Sequence, residues 1–311
     1  MKPLLIVLSG GPSGWAPIGP NGETLLEYGV YDALRAGFER IVFIVPRDEE
    51  EHFREGVLNR MKDLKYELVL QDEDAQIPPD IAEKAREAGR TKPWGEVHAL
   101  LCGAALITVP AFAVISANCF YGREAFETMW SYLGSPSITQ QKLPTVKQGF
   151  IVLYPLEKIF PKKVSARDAS DDPPQAPNTP SSAVILGICG VKDSYLAAMR
   201  KCTISSGDSF TDEISGEEIA PDALVSMGFW GFPRSILPAL RKYFSDFIQD
   251  SANIPENECD LFDAADWILQ SGLLRIRAIK APGECFTAQT SDPETIPELI
   301  AEGVYPPSLW S

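Results

Sequence analysis

GPNGETLLEYGVYDALRAGFERIVFIV, residues 19–45, holds a turn, a helix and a strand in immediate succession. The turn is Gly19-Pro20-Asn21-Gly22, built from residues that punctuate a chain. Thr24 and Glu27 then have the T-x-x-E spacing of a capping box, in which each side chain satisfies a free backbone N–H at the helix start. The pattern predicts a helix from Leu25 to Ala36, stopped by Gly37, and a buried strand from Arg40 to Pro46. Upstream, the apolar run Leu4 to Leu8 ends in Ser9-Gly10-Gly11-Pro12 and reads as a strand followed by a loop. Strand, loop, helix and strand make a βαβ unit.

The alternation continues downstream. A segment at residues 48–62, acidic at its start as a helix N-terminus prefers, precedes a strand at 66–70. A helix at 95–106, a strand at 112–116 and a helix at 123–133 follow. Strands alternating with helices predict an α/β fold, a Rossmann-like mixed and mostly parallel sheet with helices on both faces. Ligands are then expected at the strands' C-terminal ends, which directs attention to the loops at 9–17 and 116–122. Residues 163–182 are rich in Pro, Ser and Asp and carry too few large apolar side chains to bury. They are expected to form a flexible insertion loop in a single domain spanning residues 1–311. Beyond it lie an apolar run at 183–189, the segment VSMGFWGF at 225–232, helices at 234–248 and 261–270, and a strand at 274–278.

Composition narrows the partners. The 311 residues are 45% hydrophobic, enough for a large core, and the formal net charge is -15. An acidic chain with no basic patch is not expected to bind nucleic acid or an anionic membrane surface. No stretch reaches the roughly 20 apolar residues of a spanning helix, and the opening apolar run is shorter than a signal-peptide core. Six cysteines lie far apart with no CxxC pair, as expected of buried thiols in a reducing compartment. A cytoplasmic location is the expectation.

Several stretches together resemble the bacterial nucleotidyltransferases related to the sugar-1-phosphate nucleotidyltransferases, which make nucleoside-diphosphate sugars. They are the opening strand and loop, the quoted 19–45, RTKPWGEVHALL at 90–101, ISANCFYGREAFE at 115–127, VSMGFWGF at 225–232 and EGVYPPSLW at 302–310. The resemblance implies a reaction in which a sugar phosphate attacks the α-phosphate of a nucleoside triphosphate and releases pyrophosphate with Mg²⁺ bound. That chemistry needs a cationic glycine-rich loop, a base-reading loop, acidic metal ligands and polar contacts to the sugar.

Measured against that pattern, the cleft has lost charge. The phosphate loop of the family reads like G-x-G-x-R followed by Lys; here Gly10, Gly11 and Gly14 remain, while no Arg or Lys occurs between Lys2 and Arg35. The base-reading loop keeps Pro93, Trp94, Gly95 and His98 but carries Glu96 and Val97 where small residues would sit. Gly10, Gly11, Gly14, Trp94, Gly95 and His98 are thus the candidate, degenerate nucleotide-binding residues. Taken on its own, His98 on an apolar helix face reads as a structural histidine. The acidic metal pair is replaced by Asn118 and Cys119, poor ligands for a hard ion; Asp292 is a weak candidate for the second acidic position. At the sugar end, Arg200, Thr203 and Gly228 stand where the family has an acid, a Lys and an Asn. No catalytic residue and no resident cofactor are expected of such a site, and Mg²⁺ would be needed only if it were active.

Three readings remain open. One is a nucleotidyltransferase-like protein, a pseudoenzyme impaired in catalysis, acting in binding or regulation, beside an intact paralogue or as a homo-oligomer, with a sugar phosphate or nucleotide as ligand. Another is an active Mg²⁺-dependent transferase joining a nucleoside triphosphate to a sugar phosphate through a rearranged site. The third is a sensor for a sugar or nucleoside without triphosphate.

Overall fold

A computed structural model describes residues 2–135, 147–160, 183–207 and 209–310. The insertion loop expected at 163–182 falls outside the described residues. Among those described, twelve strands form one mixed sheet. In one half of it β1 (Leu4–Leu8), β2 (Arg40–Pro46), β3 (Tyr66–Gln71) and β4 (Ala111–Ser116) are parallel, in the order β4-β1-β2-β3, with β3 at the edge. A short strand β5 (Cys119–Phe120) follows β4 and stands outside this sheet.

The other half is largely antiparallel. It contains β6 (Lys147–Pro155), β7 (Val184–Lys192), β8 (Tyr195–Ser206), β9 (Phe210–Asp212), β10 (Glu218–Ile219), β11 (Leu224–Ser226) and β12 (Trp230–Pro233). β12 lies between β4 and β6 and joins the two halves. β13 (Leu274–Lys280) runs parallel to β6, and β14 (Phe286–Thr287) pairs with β5 in a separate ribbon.

The central strands are apolar on both faces because both faces are covered. In β1, Leu5 and Val7 point into one core while Leu4, Ile6 and Leu8 point into the other, and β2 and β4 divide in the same way. Helices α1 (Leu25–Ala36) and α4 (Arg123–Leu133) close the first face. On the second lie α3 (Glu96–Cys102), α5 (Leu237–Gln249) and α6 (Leu261–Gln270); α2 (Pro79–Glu87) contributes Ile81 and Ala85. Fully buried aromatics such as Phe43, Phe112 and Phe126 each stabilise the core by roughly 1.5–3 kcal/mol.

α1 begins with the expected capping box and ends on Gly37 at φ 108°, the left-handed conformation that suits glycine at a helix end. Three elements differ from their sequence reading. The helix expected at 48–62 is a tight turn, four α-helical residues at Glu50–Phe53 and a π-turn at Arg54–Leu58. The helix expected at 95–106 is α-helical only to Cys102, where Gly103 caps it, and a 3-10 turn takes over at Ala104–Leu106. β8 is a long strand folded back on β7 through Asp193 and Ser194, both at positive φ (51° and 66°), the geometry of a tight hairpin turn without its usual glycine.

Candidate functional site

The C-terminal ends of β1 and β4 open into a cleft, as the sheet order requires. The chain leaves β1 at Ser9, whose N–H still donates to Ile44 at 3.1 Å, and leaves β4 at Ala117, whose N–H donates to Leu8 at 3.0 Å. Beyond Ser9 the loop turns on Gly10 at φ 60° and folds into a 3-10 turn at Pro12–Trp15. The indole N–H of Trp15 donates to the Ser9 carbonyl at 3.0 Å, pinning the loop against the body. Gly14 packs where a Cβ would lie 3.2 Å from that carbonyl and 3.5 Å from Asn118 Cβ.

Two cavities of about 420 Å³ each meet in this cleft, and Glu96 and Ser116 line both. Gly10, Gly11 and Gly95 line the first, together with Asp48, Glu49, Glu258 and Lys92. Four acidic side chains, counting Glu96, thus share this lining with one lysine. The glycine-rich loop supplies no cation; Lys92, beside Pro93, is the lining residue that does.

Gly95 lines the cavity, while Trp94 and His98 are buried behind its wall. Trp94 is buried, its indole N–H donating to Glu73 at 3.1 Å, and Arg90 lies over its ring at 3.9 Å. The Arg90 guanidinium also donates to the carbonyls of Lys92, Pro93, Ile254 and Asn257 at 2.8–3.2 Å, lacing residues 92–93 to 254–257. Gly95, at φ 91°, lets the chain at Cys259 approach so closely that a Cβ would fall 2.7 Å from its nitrogen. Trp94 and Val97 exchange backbone hydrogen bonds with Cys259 at 2.8 and 3.1 Å across that contact. His98 is fully buried, stacked on Phe244; Gln71 Nε2 donates to its Nδ1 at 3.0 Å, so its Nε2 carries the proton and donates to the Ala75 carbonyl at 2.6 Å. Burial lowers its pKa and keeps the ring neutral. Gln71, which orients that ring, also lines the first cavity and was not legible as a site residue in the sequence.

The second cavity is lined by Asn118, Cys119, Ser226, Gly228, Thr287 and, from β8 and α6, Lys201 and Asp260. Asn118 Oδ1 accepts from Ser116 Oγ at 2.7 Å and from the Cys119 thiol at 3.3 Å, so its carbonyl already has partners. Burial pushes the Cys119 thiol up to about 12 and leaves it unionised. Asp292 lines neither cavity; it accepts from the Glu294 N–H at 3.0 Å in the turn entering α7 (Thr295–Ala301). No group of three or more His, Cys, Asp or Glu side chains able to hold a metal ion occurs among the described residues.

At the sugar end, Arg200 is drawn away to Asp212 at 3.5 Å and Glu217 at 2.9 Å, while Gly228 turns the chain at φ 84°. The cation that does reach the cavity is Lys201, held by Asp260 at 3.0 Å and Asp263 at 2.9 Å. The sequence reading placed the lost cation at Thr203; the neighbouring Lys201 was the signal it missed. Glu96 stands opposite, its Oε2 accepting the Leu261 N–H at 3.1 Å. Burial, and next the charge of Asp260, push its carboxyl up to about 7.

No family model matches the chain, and no curated protein matches it in sequence. Solved structures do match in three dimensions. The inositol-1-phosphate CTP transferase from T. maritima aligns with a TM-score of 0.57 at 10% identity, covering 96% of each chain. A putative glucose-1-phosphate thymidylyltransferase from Bacillus anthracis gives 0.54 at 12% identity, over 92% of this chain and 90% of its own. A UDP-glucose pyrophosphorylase complexed with UDP-glucose gives 0.52 at 15%, over 98% and 99%. From the glycine-rich loop after β1 to the turn before α7, the chain has the fold of the sugar-1-phosphate nucleotidyltransferases.

Proposed function

We propose that this protein uses the nucleotidyltransferase fold for binding or regulation, and that its cleft does not carry out nucleotidyl transfer. The observation that carries the reading is the charge of the first cavity, where Asp48, Glu49, Glu96 and Glu258 face one lysine, Lys92. A triphosphate brings about four negative charges and draws its binding energy from cations and backbone N–H groups, with electrostatic preorganisation usually the largest catalytic contribution. This cavity offers the opposite sign. The structural neighbours are named for a CTP transferase, a thymidylyltransferase and a UDP-glucose pyrophosphorylase. The ligand class that suits the second cavity is a sugar, met by the polar side chains of Asn118, Ser226 and Thr287, with Lys201 already paired to Asp260 and Asp263. Such a role requires no metal, and no described helix is long and apolar enough to cross a membrane.

One observation favours the active alternative, since Lys92 and Lys201 bring a cation to each cavity. The experiment that separates the two is a coupled pyrophosphate assay with Mg²⁺, the four common nucleoside triphosphates and a panel of sugar 1-phosphates, paired with calorimetric titration. The binding role predicts no pyrophosphate and no triphosphate affinity tighter than roughly millimolar, about -4 kcal/mol. Turnover, or micromolar binding of one triphosphate, would establish the enzyme instead.

A further inference from the structure

Residues 302–310 lie across α1 and are tied to it and to the preceding turn at three points. The Tyr305 hydroxyl donates to Asp32 Oδ2 at 2.6 Å, the Trp310 indole N–H donates to Glu27 Oε1 at 3.1 Å, and Asn21 Nδ2 donates to the Pro307 carbonyl at 2.7 Å. Tyr305 also packs its ring against Tyr28 at 4.9 Å and Phe120 at 6.1 Å. Phe120 stacks on Phe286 at 4.7 Å, and its neighbour Cys119 lines the second cavity. A continuous set of contacts therefore runs from the segment to the rim of the cleft.

The two carboxylates under this segment differ in kind. Glu27 is buried but well compensated: Arg60 donates to it at 2.6 Å and the Thr24 N–H at 2.9 Å. Asp32 is 1% exposed and receives only the Tyr305 hydroxyl; its Oδ1 has no hydrogen-bond partner. The groups facing it are Arg35 on α1, Arg123 and Glu124 on α4, Tyr154 on β6 and Tyr305 itself. Neither arginine donates to it, and Arg123 is already paired with Glu127 at 2.7 Å. A buried carboxylate oxygen with no donor is costly when charged and cheap when the group is neutral.

We propose that residues 302–310 form a strap that stays docked while the Asp32 carboxyl is neutral and loosens as it ionises, releasing Tyr305 from Phe120 and the rim of the second cavity. Burial pushes Asp32 up to about 7, ahead of the opposing pull of Tyr305, Arg123 and Arg35 and the added push of Glu124. With the segment undocked, a carboxyl that water reaches titrates near 3.9. Docking therefore binds a proton: the undocking constant rises about tenfold per pH unit between roughly 4 and 7 and levels above that.

The test is hydrogen exchange by mass spectrometry on the full chain from pH 5.5 to 8.5, corrected for the intrinsic exchange rate, with a peptide from β1 as internal reference. Protection of residues 295–310 should fall about tenfold from pH 5.5 to 6.5 and level near pH 7.5 while β1 stays constant. In Asp32→Asn, which keeps an acceptor for Tyr305, it should not change with pH. Flat protection in the wild type, or an unchanged slope in Asp32→Asn, would overturn the proposal. Should the variant not fold, the carboxyl ¹³C shift of Asp32 in the wild type decides: a midpoint near 7 supports the strap, and one below 5 overturns it.

Discussion

Glu96 Oε2 accepts the backbone N–H of Leu261 at 3.1 Å, so a carboxylate at the start of α3 caps the first turn of α6. Asp260 is the other cap of that turn, accepting from Phe262 at 2.6 Å. The two acids share one helix end, whose free N–H groups favour negative charge, and Lys201 bridges to Asp260. Their mutual repulsion adds to the burial that lifts Glu96 to about 7. Because the native carboxyl binds its proton more tightly than the unfolded one, near 4.3, stability falls as pH rises from about 4 to about 7 and is level above. Glu96→Gln should remove that slope. Urea unfolding of both proteins at pH 5 and 8 should show the variant gaining about 2–3 kcal/mol on the wild type between the two pH values, and equal slopes would refute it.

Arg90 serves the fold, although it opens a segment that resembles a nucleotide-binding motif. Arg90→Ala leaves the carbonyls of Lys92, Pro93, Ile254 and Asn257 without their donor and Trp94 without its cation. The expected cost is about 3 kcal/mol of unfolding free energy. Arg90→Lys should recover less than half, because an ammonium cannot reproduce the planar fork. Full recovery by Lys would mean that charge alone, and not the array of donors, holds the loop.

Gly95 and Gly228 both have positive φ, 91° and 84°, yet alanine should affect them differently. At Gly228 nothing lies within 4 Å of an added Cβ, so the substitution carries only the left-handed backbone cost of about 1–2 kcal/mol. At Gly95 the Cβ would strike Cys259 N at 2.7 Å and O at 2.8 Å, both backbone atoms that cannot rotate aside. Gly95→Ala should lose at least about 3 kcal/mol and detach the chain around Cys259 from α3, read as new exchange at the Cys259 and Val97 amides. Comparable thermal shifts for the two variants would contradict this.

The sequence was most readable where one local rule had a single solution. Thr24, Glu27 and Gly37 fixed both ends of α1, and the apolar runs of β1, β2 and β4 announced strands covered on two faces. β8 was opaque because only three of its twelve residues are buried, so its apolar pattern is broken by Lys, Arg and Ser, and its hairpin turns on Asp193-Ser194 instead of a glycine pair. The loss of cations from the glycine-rich loop could be counted directly. The cations that do approach the cleft, Lys92 and Lys201, could not be found that way: their positions follow from the close approach of residues 254–260 at Gly95 and from the register Gly187–Lys201 between β7 and β8. Both are tertiary facts.

Restoring the acidic pair should not restore transfer. Asn118→Asp with Cys119→Asp would supply two carboxylates where the sequence resemblance leads one to expect metal ligands, and Mg²⁺ needs such oxygens. Position 119, however, is buried, its thiol already pushed up to about 12 by burial, and a carboxylate placed there would meet the same environment with its proton retained. Asn118 is also engaged with Ser116 at 2.7 Å, and an aspartate would take that hydroxyl as its own hydrogen bond. The first cavity would keep Asp48, Glu49, Glu96 and Glu258 against incoming phosphates. Groups that act as a unit do not contribute additively when one is restored. The double variant should therefore release no pyrophosphate above background with any triphosphate and sugar-phosphate pair. It should also unfold about 2–4 kcal/mol more easily than the wild type above pH 7, where the buried acid is pressed to ionise. Turnover by the variant alone would place the whole defect at positions 118 and 119 and would clear the acidic cavity of blame.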